Sequence, residues 1–146
     1  MKISTKGRYA LRMLVDLAEH QGDGYIALKD IAERQAVSKK YLEQIVPVLN
    51  KSSILGTNRG FQGGYRLNRA PESITVGEVL RLTEGNMAPI KCIETDGYID
   101  CERSEGCPTL FLWQGLKKVI DDYLDSITLR DIINKKIESY SNDYII

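Results

Sequence analysis

Residues 28–50, LKDIAERQAVSKKYLEQIVPVLN, constrain the fold of this 146-residue chain more tightly than any other stretch. They read as two helices joined by a tight turn. Ile31 and Ala32 fall on the inner face of the first, and Tyr41, Leu42, Ile45 and Leu49 recur at helical spacing on the second. Ala36 and Val37 fill the turn, a small residue that lets two helices approach and then an apolar plug. Ser38 is placed to cap the second helix, its hydroxyl accepting a backbone N–H that otherwise has no partner. Lys39, Lys40, Glu43 and Gln44 are left on the solvent side. Two cations and two side-chain types that read base edges, at the start of a helix, suit the major groove of DNA. An ordinary helical hairpin with a wet polar face shares this pattern, because helix-turn-helix signals are short.

The sequence on either side weighs for the first reading. Pro47 is a candidate stop or bend, although the apolar pattern runs on to Leu49 and Ile54. Then the period changes to alternation: Leu55–Arg59 and Tyr65–Leu67 bracket Gly60-Phe61-Gln62-Gly63-Gly64. Two short strands around a glycine-rich tip, directly after a helix-turn-helix, make a winged helix; a plain hairpin with a flexible turn is the alternative. Glycines let the tip approach another backbone closely. Arg59 at its base is placed to enter a narrow minor groove, which attracts guanidinium groups. Upstream, residues 4–21 read as a helix capped by Ser4 or Thr5, with Ala10, Leu11, Leu14, Val15, Leu17 and Ala18 facing the core. Lys2, Lys6, Arg8 and Arg12 gather near its start, where cations oppose the helix dipole. A nearby phosphate backbone turns that cost into a gain; a solvated face is the plainer alternative. His20, the one histidine, is assigned no role.

The net charge is zero but unevenly spread. Residues 1–70 carry 12 Lys and Arg against 6 Asp and Glu, and residues 71–146 carry 8 against 14. The basic half holds the helix-turn-helix and is the candidate nucleic-acid face; the acidic half is free for another task, docking of a protein partner included. No apolar run reaches membrane-spanning length, and MKISTKGRYALRM lacks the apolar centre of a signal peptide. The cytoplasm is the expected compartment.

Thr75-Val-Gly-Glu78 is a capping box opening a short helix from Val76 to about Leu82. Between Glu84 and Pro108 no period is clear, and all three cysteines lie there: Cys92, Cys101 and Cys107, spaced C-x8-C-x5-C. An odd number in a cytoplasmic chain argues against disulfides, and the spacing is not the CxxC pair of a zinc ribbon. Iron–sulfur ligation fits better, since clusters are held by cysteine thiolates. Pro108 is expected in the first turn of the next helix, with Cys107 at or near its N-cap, where the dipole favours a thiolate. Glu94, Asp96, Asp100, Glu102 and Glu105 oppose bare thiolates, a repulsion that a cationic centre relieves. Three ligands do not complete a four-ligand site.

From Thr109 to Ile127 the helical period returns. Trp113, Leu116, Ile120, Tyr123 and Ile127 are spaced 3, 4, 3, 4, a coiled-coil-like seam that predicts a dimerisation helix, part of which packs on its own domain; a core helix of the monomer is the alternative. Thr128-Leu-Arg-Asp131 is a second capping box, opening a last helix through Ile132, Ile133 and Ile137. The expected fold is mainly α with a small β-wing. It comprises a winged helix-turn-helix over 1–84, a cysteine-bearing sensor loop over 85–108, and a dimerisation helix with a C-terminal helix over 109–146.

MKISTKGRYALRMLVDLA, DIAERQAVSKKYLEQI, RGFQGGYRL, ITVGEV and CPTLFLW…ITLRDI together resemble the IscR-type family of winged-helix regulators. That family includes iron–sulfur sensors, nitric-oxide sensors and CymR-type repressors of cysteine metabolism. The resemblance covers nearly the whole chain. It implies a homodimer with crossing long helices, recognition helices in successive major grooves and wings in minor grooves. It also implies a recognition face of Ser38, Lys40, Tyr41, Glu43 and Gln44, with Arg59 and Gly60 as the wing contact. Cluster-bearing members carry three cysteines where Cys92, Cys101 and Cys107 stand. Two departures stand out: Leu110 and Arg8 occupy positions where cluster-bearing relatives place a fourth ligand, and the first cysteine gap is wider than usual.

The function expected is that of a homodimeric, sequence-specific binder of double-stranded DNA, acting as a repressor. Its DNA affinity is set by an iron–sulfur cluster, two-iron or four-iron, on the three cysteines. The same fold without a cluster, controlled by thiol oxidation or a protein partner, is the alternative. An enzyme or electron carrier is disfavoured: with His20 remote there is no nucleophile–base pair and no nucleotide-binding fingerprint.

Overall fold

A computed structural model describes residues 1–95, 99 and 101–142. Helix α1, Thr5–His20, starts where Ser4 Oγ accepts the Gly7 N–H at 3.3 Å. Its Ala10, Leu14 and Leu17 are fully buried, with Leu11, Val15 and Ala18 packed at the edge of the core. Met13 and Asp16 are buried as well. Helix α2, Leu28–Gln35, ends at Ala36, which adopts the left-handed conformation with φ 51°. Helix α3, Lys39–Asn50, opens with Ser38 Oγ accepting the Tyr41 N–H at 3.1 Å and buries Leu42, Ile45, Val46 and Leu49. Pro47 lies inside α3 without ending it. The carbonyl it cannot bond is that of exposed Glu43, which water can satisfy.

Strand β1, Leu55–Asn58, pairs antiparallel with β2, Gly64–Leu67, with Leu55 opposite Leu67 and Asn58 opposite Gly64. The wing is moored to the helices by a reciprocal pair of 2.9 Å bonds between Ile26 and Tyr65. That mooring fixes Gly64, because a Cβ there would lie 2.2 Å from the Ile26 carbonyl oxygen.

Helix α4, Val76–Glu84, is capped by Thr75 Oγ1, which accepts the Glu78 N–H at 3.1 Å. The Glu78 carboxylate pairs with Arg69 Nη1 at 2.6 Å. At the far end of α4, Glu84 Oε1 accepts from Ser4 N at 3.2 Å, Ser4 Oγ at 2.6 Å and Gly7 N at 3.1 Å. A carboxylate therefore crowns the start of α1, where the helix dipole favours negative charge. Gly7 makes the approach possible: a Cβ on it would sit 2.3 Å from Glu84 Oε1.

Helix α5, Leu110–Ser126, has no buried residue among those described. Helix α6, Leu129–Asn142, is opened by a box closed in both directions: Asp131 Oδ2 accepts Thr128 N–H at 2.8 Å and Thr128 Oγ1 accepts Asp131 N–H at 3.2 Å. It packs back on α1, placing fully buried Leu129 in the main core and burying Ile133. Two backbone bonds stitch this return to the start of α4: Val76 N to Ile127 O at 2.8 Å and Leu129 N to Ile74 O at 3.0 Å. A second apolar cluster, Val76, Leu80 and Met87, is covered by Ile3, Leu11, Leu124, Ile127 and Ile132. Among the described residues no helix is long and apolar enough to cross a membrane.

Candidate nucleic-acid interface and cysteine segment

Because Leu42, Ile45 and Leu49 fix one side of α3 in the core, its opposite side is presented outward. Ser38, Lys39, Lys40, Glu43 and Gln44 are all exposed. Lys39 Nζ lies 3.6 Å from Glu43 Oε1, one turn along the same face. Tyr41 is half-buried and packs edge-to-face on Tyr9 of α1, ring centroids 5.7 Å apart. Arg12 stacks over the Tyr9 ring at 5.0 Å and donates to Gln35 Oε1 at 2.9 Å and to the Gln35 carbonyl at 3.0 Å. Arg8 donates to Thr5 Oγ1 at 3.1 Å. Of the cations near the start of α1, these two have partners inside the protein, and Arg12 braces α1 against α2.

That brace continues inward to Asp16, whose side chain is 1% exposed. Arg34 donates to Asp16 through Nε at 3.0 Å and Nη2 at 2.6 Å, and Gln35 Nε2 donates at 2.8 Å. Burial pushes the Asp16 carboxyl up, but the hydrogen bonds from Arg34 and Gln35, with the Arg34 charge, outweigh it and leave the pKa below the ordinary value. His20 Nδ1 lies 2.8 Å from the Asp16 carbonyl oxygen, outside the recognition face. Neither Asp16 nor Arg34 stood out in the sequence. Spacing carried one signal, since Asp16 stands between the core positions Val15 and Leu17.

On the same side of the molecule, Asn58, Arg59, Gly60 and Phe61 form the exposed end of the wing, with Gly60 at φ 128°. Recognition helix and wing are separated by an open cleft of about 440 Å³ whose walls include Lys39, Glu43, Arg59 and Gly60. The α3 face and the wing predicted from the sequence are thus brought together.

The three cysteines are not. Cys92, Cys101 and Cys107 are free and half-buried, and no three His, Cys, Asp or Glu side chains among the described residues are grouped to hold a metal ion. The donor type suits an iron–sulfur cluster, and Cys92, Cys101 and Cys107 are the residues that would hold it. Leu110 has no ligating atom, and Arg8 is a cation. Glu94, Glu102 and Glu105 are exposed; Asp96 and Asp100 lie outside the described residues. Cys107 itself stands two residues before the N-cap of α5, which is Thr109, and Pro108 lies between them rather than in the first helical turn. Thr109 Oγ1 accepts from Trp113 Nε1 at 3.3 Å and lies 3.6 Å from Cys107 Sγ. A hydrogen bond from this hydroxyl, aided by the Thr109 and Leu110 backbone N–H groups, holds the Cys107 thiol below its ordinary pKa.

Along α5, Leu112, Leu116, Val119 and Tyr123 form an exposed apolar stripe, beside exposed Phe111. Trp113, Ile120 and Ile127 are half-buried, and Ile127 packs with Leu124 on the second apolar cluster. The stripe lies about 50° around the helix from the middle of the predicted seam, at about 100° per residue.

Residues 3–135 match the Rrf2 model, described as an iron-dependent transcriptional regulator. The chain belongs to the Rrf2 family. It is 38% identical over 136 residues to the HTH-type transcriptional regulator IscR of Erwinia tasmaniensis, spanning 93% of this chain and 81% of that one. Among solved structures it is similar to CymR (YrzC), the global cysteine regulator of B. subtilis, with TM-score 0.75, 36% identity and coverage of 92% and 98%. It is also similar to T. potens IscR, with TM-score 0.72, 40% identity and coverage of 95% and 90%. This Rrf2 protein is a DNA-binding transcriptional regulator of winged-helix fold and not an enzyme.

Proposed function

We propose that this Rrf2 protein is a homodimeric, sequence-specific repressor that binds double-stranded DNA in the cytoplasm and whose affinity is set at its cysteine segment. The observation that carries the reading is the shared outward face of α3 and wing. Ser38, Lys39, Lys40, Tyr41, Glu43 and Gln44 are taken as the recognition face of α3; Lys39 and Glu43 of that face and Arg59 and Gly60 of the wing share one cleft, an arrangement that suits a major groove and the adjoining minor groove. Residues 1–84 act as the DNA-binding unit, 85–108 as the sensor segment and 109–146 as the dimer-forming unit. The dimer contact is the exposed stripe of α5, Leu112, Leu116, Val119 and Tyr123, flanked by Trp113, Ile120 and Ile127. An apolar stripe of this kind on a helix with no buried residue needs a partner surface.

Two chemistries are open to the sensor segment. A two-iron or four-iron cluster on Cys92, Cys101 and Cys107 is supported by the donor set and by the likeness to IscR proteins. Thiol control is supported by Cys107, whose sulfur is accessible and held toward the thiolate by Thr109. A protein partner docking on the acidic half is a further route of control.

The deciding experiment combines selection of bound duplexes from a random pool with iron and sulfide analysis of anaerobically purified protein. An enriched sequence with two half-sites supports the regulator; no enrichment above a scrambled duplex refutes it. Bound iron and sulfide lost in Cys101→Ala establishes the cluster. Iron-free protein whose affinity for the selected duplex changes on oxidation, but not in Cys107→Ser, establishes the thiol.

A further inference from the structure

The cleft between α3 and the wing contains more positive charge than the recognition helix supplies. Lys29, in the first turn of α2, lines it together with Lys39 of α3 and Arg59 of the wing. Three cations from three separate elements therefore face one space. Lys39 has Glu43 at 3.6 Å, but neither Lys29 nor Arg59 has a hydrogen-bond or ion-pair partner among the described residues. Thr57 and Asn58, both exposed, add side chains able to donate a hydrogen bond. The carboxylate in the wall is Glu43, turned toward Lys39.

The reading of α3 in a major groove and the wing in the next minor groove has a geometric consequence. Those two grooves are separated by one sugar–phosphate backbone, so a protein that enters both must straddle that backbone. Here the space between the two elements is this cleft, open to solvent and about 440 Å³ in volume. A phosphodiester there would replace the missing counter-charge of Lys29 and Arg59, and a hydroxyl or amide donor at its side suits its remaining oxygens.

We propose that the cleft is a phosphate seat in which Lys29, with Arg59 and Asn58, holds the DNA backbone running between recognition helix and wing. Lys29 thus joins the binding residues as a positioning contact that carries no base information. The proposal rests on the DNA-binding reading given above. It makes the register of α3 in the major groove depend on a residue of the preceding helix.

Each phosphate neutralised contributes about 0.9 to the slope of log affinity against log salt, so two seats in a dimer contribute about 1.8. Fluorescence anisotropy with a duplex selected from a random pool, between roughly 50 and 200 mM salt, measures that slope. Lys29→Ala is expected to lower it by about 1.8 per dimer and to weaken selected and random duplexes by similar factors. Lys29→Arg is expected to restore the slope. Lys135→Ala, which removes an exposed lysine on α6, is expected to leave it unchanged. A wild-type slope in Lys29→Ala, with selective binding intact, overturns the phosphate seat and leaves the DNA-binding reading standing. Wild-type protein that binds no duplex overturns both.

Discussion

Replacing Asp16 by asparagine keeps the shape of the side chain and removes its charge. The carboxylate is buried and accepts from Arg34 Nε and Nη2 and from Gln35 Nε2, all between 2.6 and 3.0 Å. Breaking a buried ion pair costs about 3–5 kcal/mol. The Arg34 side chain is 35% exposed, so water recovers part of its charge, and the expected loss for Asp16→Asn is about 2–3 kcal/mol. At a urea slope of about 2 kcal/mol/M, the unfolding midpoint falls by about 1–1.5 M. The sign of the pH dependence follows from the direction of the shift. The folded pKa of Asp16 lies below its unfolded value, so the unfolded state binds more protons in that window. The stability Asp16 contributes is fully present above the ordinary carboxylate value of 3.8 and is lost as pH falls through the lower folded pKa. Urea titrations monitored by circular dichroism from pH 7 downward therefore converge for wild type and Asp16→Asn at acid pH. A midpoint within 0.3 M of wild type at pH 7, or a gap that stays constant into acid, refutes the assignment of Asp16 as the charged brace between α1 and α2.

Gly7→Ala drives a methyl into Glu84 Oε1 and is expected to cost about 1–3 kcal/mol, read as a lowered Tm; an unchanged Tm would show that α1 and α4 separate freely. Val119→Asp places a charge on the exposed stripe of α5 and is expected to shift the sedimentation coefficient from dimer to monomer at micromolar concentration, with the winged helix over residues 1–84 still folded. Thr109→Val removes the hydroxyl beside Cys107, so its thiol pKa rises and the pH profile of alkylation at Cys107 moves to higher pH; mass-resolved labelling reads this, and an unmoved profile removes Thr109 as the cause. Glu43→Ala removes a carboxylate that accepts from cytosine but repels phosphate, and is expected to broaden the sequences recovered in a binding-site selection.

The helix-turn-helix, the wing and the three caps at Ser38, Thr75 and Thr128 were legible because each is a local event. A hydroxyl and the N–H it accepts are three residues apart, and an apolar stripe repeats within one helix. What escaped sequence reading depends on residues far apart in the chain. Glu84 caps a helix whose start is 80 residues away. Arg12 stays exposed but is tied to Gln35, 23 residues on. Asp16 carries no sequence signal of its partner, because Arg34 lies 18 residues on. Lys29 looks like the exposed residue of an amphipathic helix until the wing folds up beside it. On α5 the exposed stripe and the predicted seam share Leu116 and Tyr123 and otherwise differ, because periodicity shows that a helix has an apolar side but not which part of it the rest of the chain covers. For the cysteines, residue type and proximity in sequence suggested a common site, and neither fixes a distance in space.

Between Glu84 and Thr128 the chain leaves the winged helix and comes back, and both crossing points are fastened. At the exit, Glu84 is bonded to the first turn of α1; at the return, Val76 and Leu129 are stitched to Ile127 and Ile74. The cysteine segment and α5 therefore form a handle held against the winged helix at both ends, not a tail joined at one; at the return end Arg81 of α4 also pairs with Asp125 of α5 at 2.7 Å. A tail can swivel without disturbing its anchor, whereas a handle passes torque. Any rotation imposed on α5, by a second subunit or by a change in the segment preceding it, must be taken up either by bending the handle or by turning the helices that carry the DNA-reading surface.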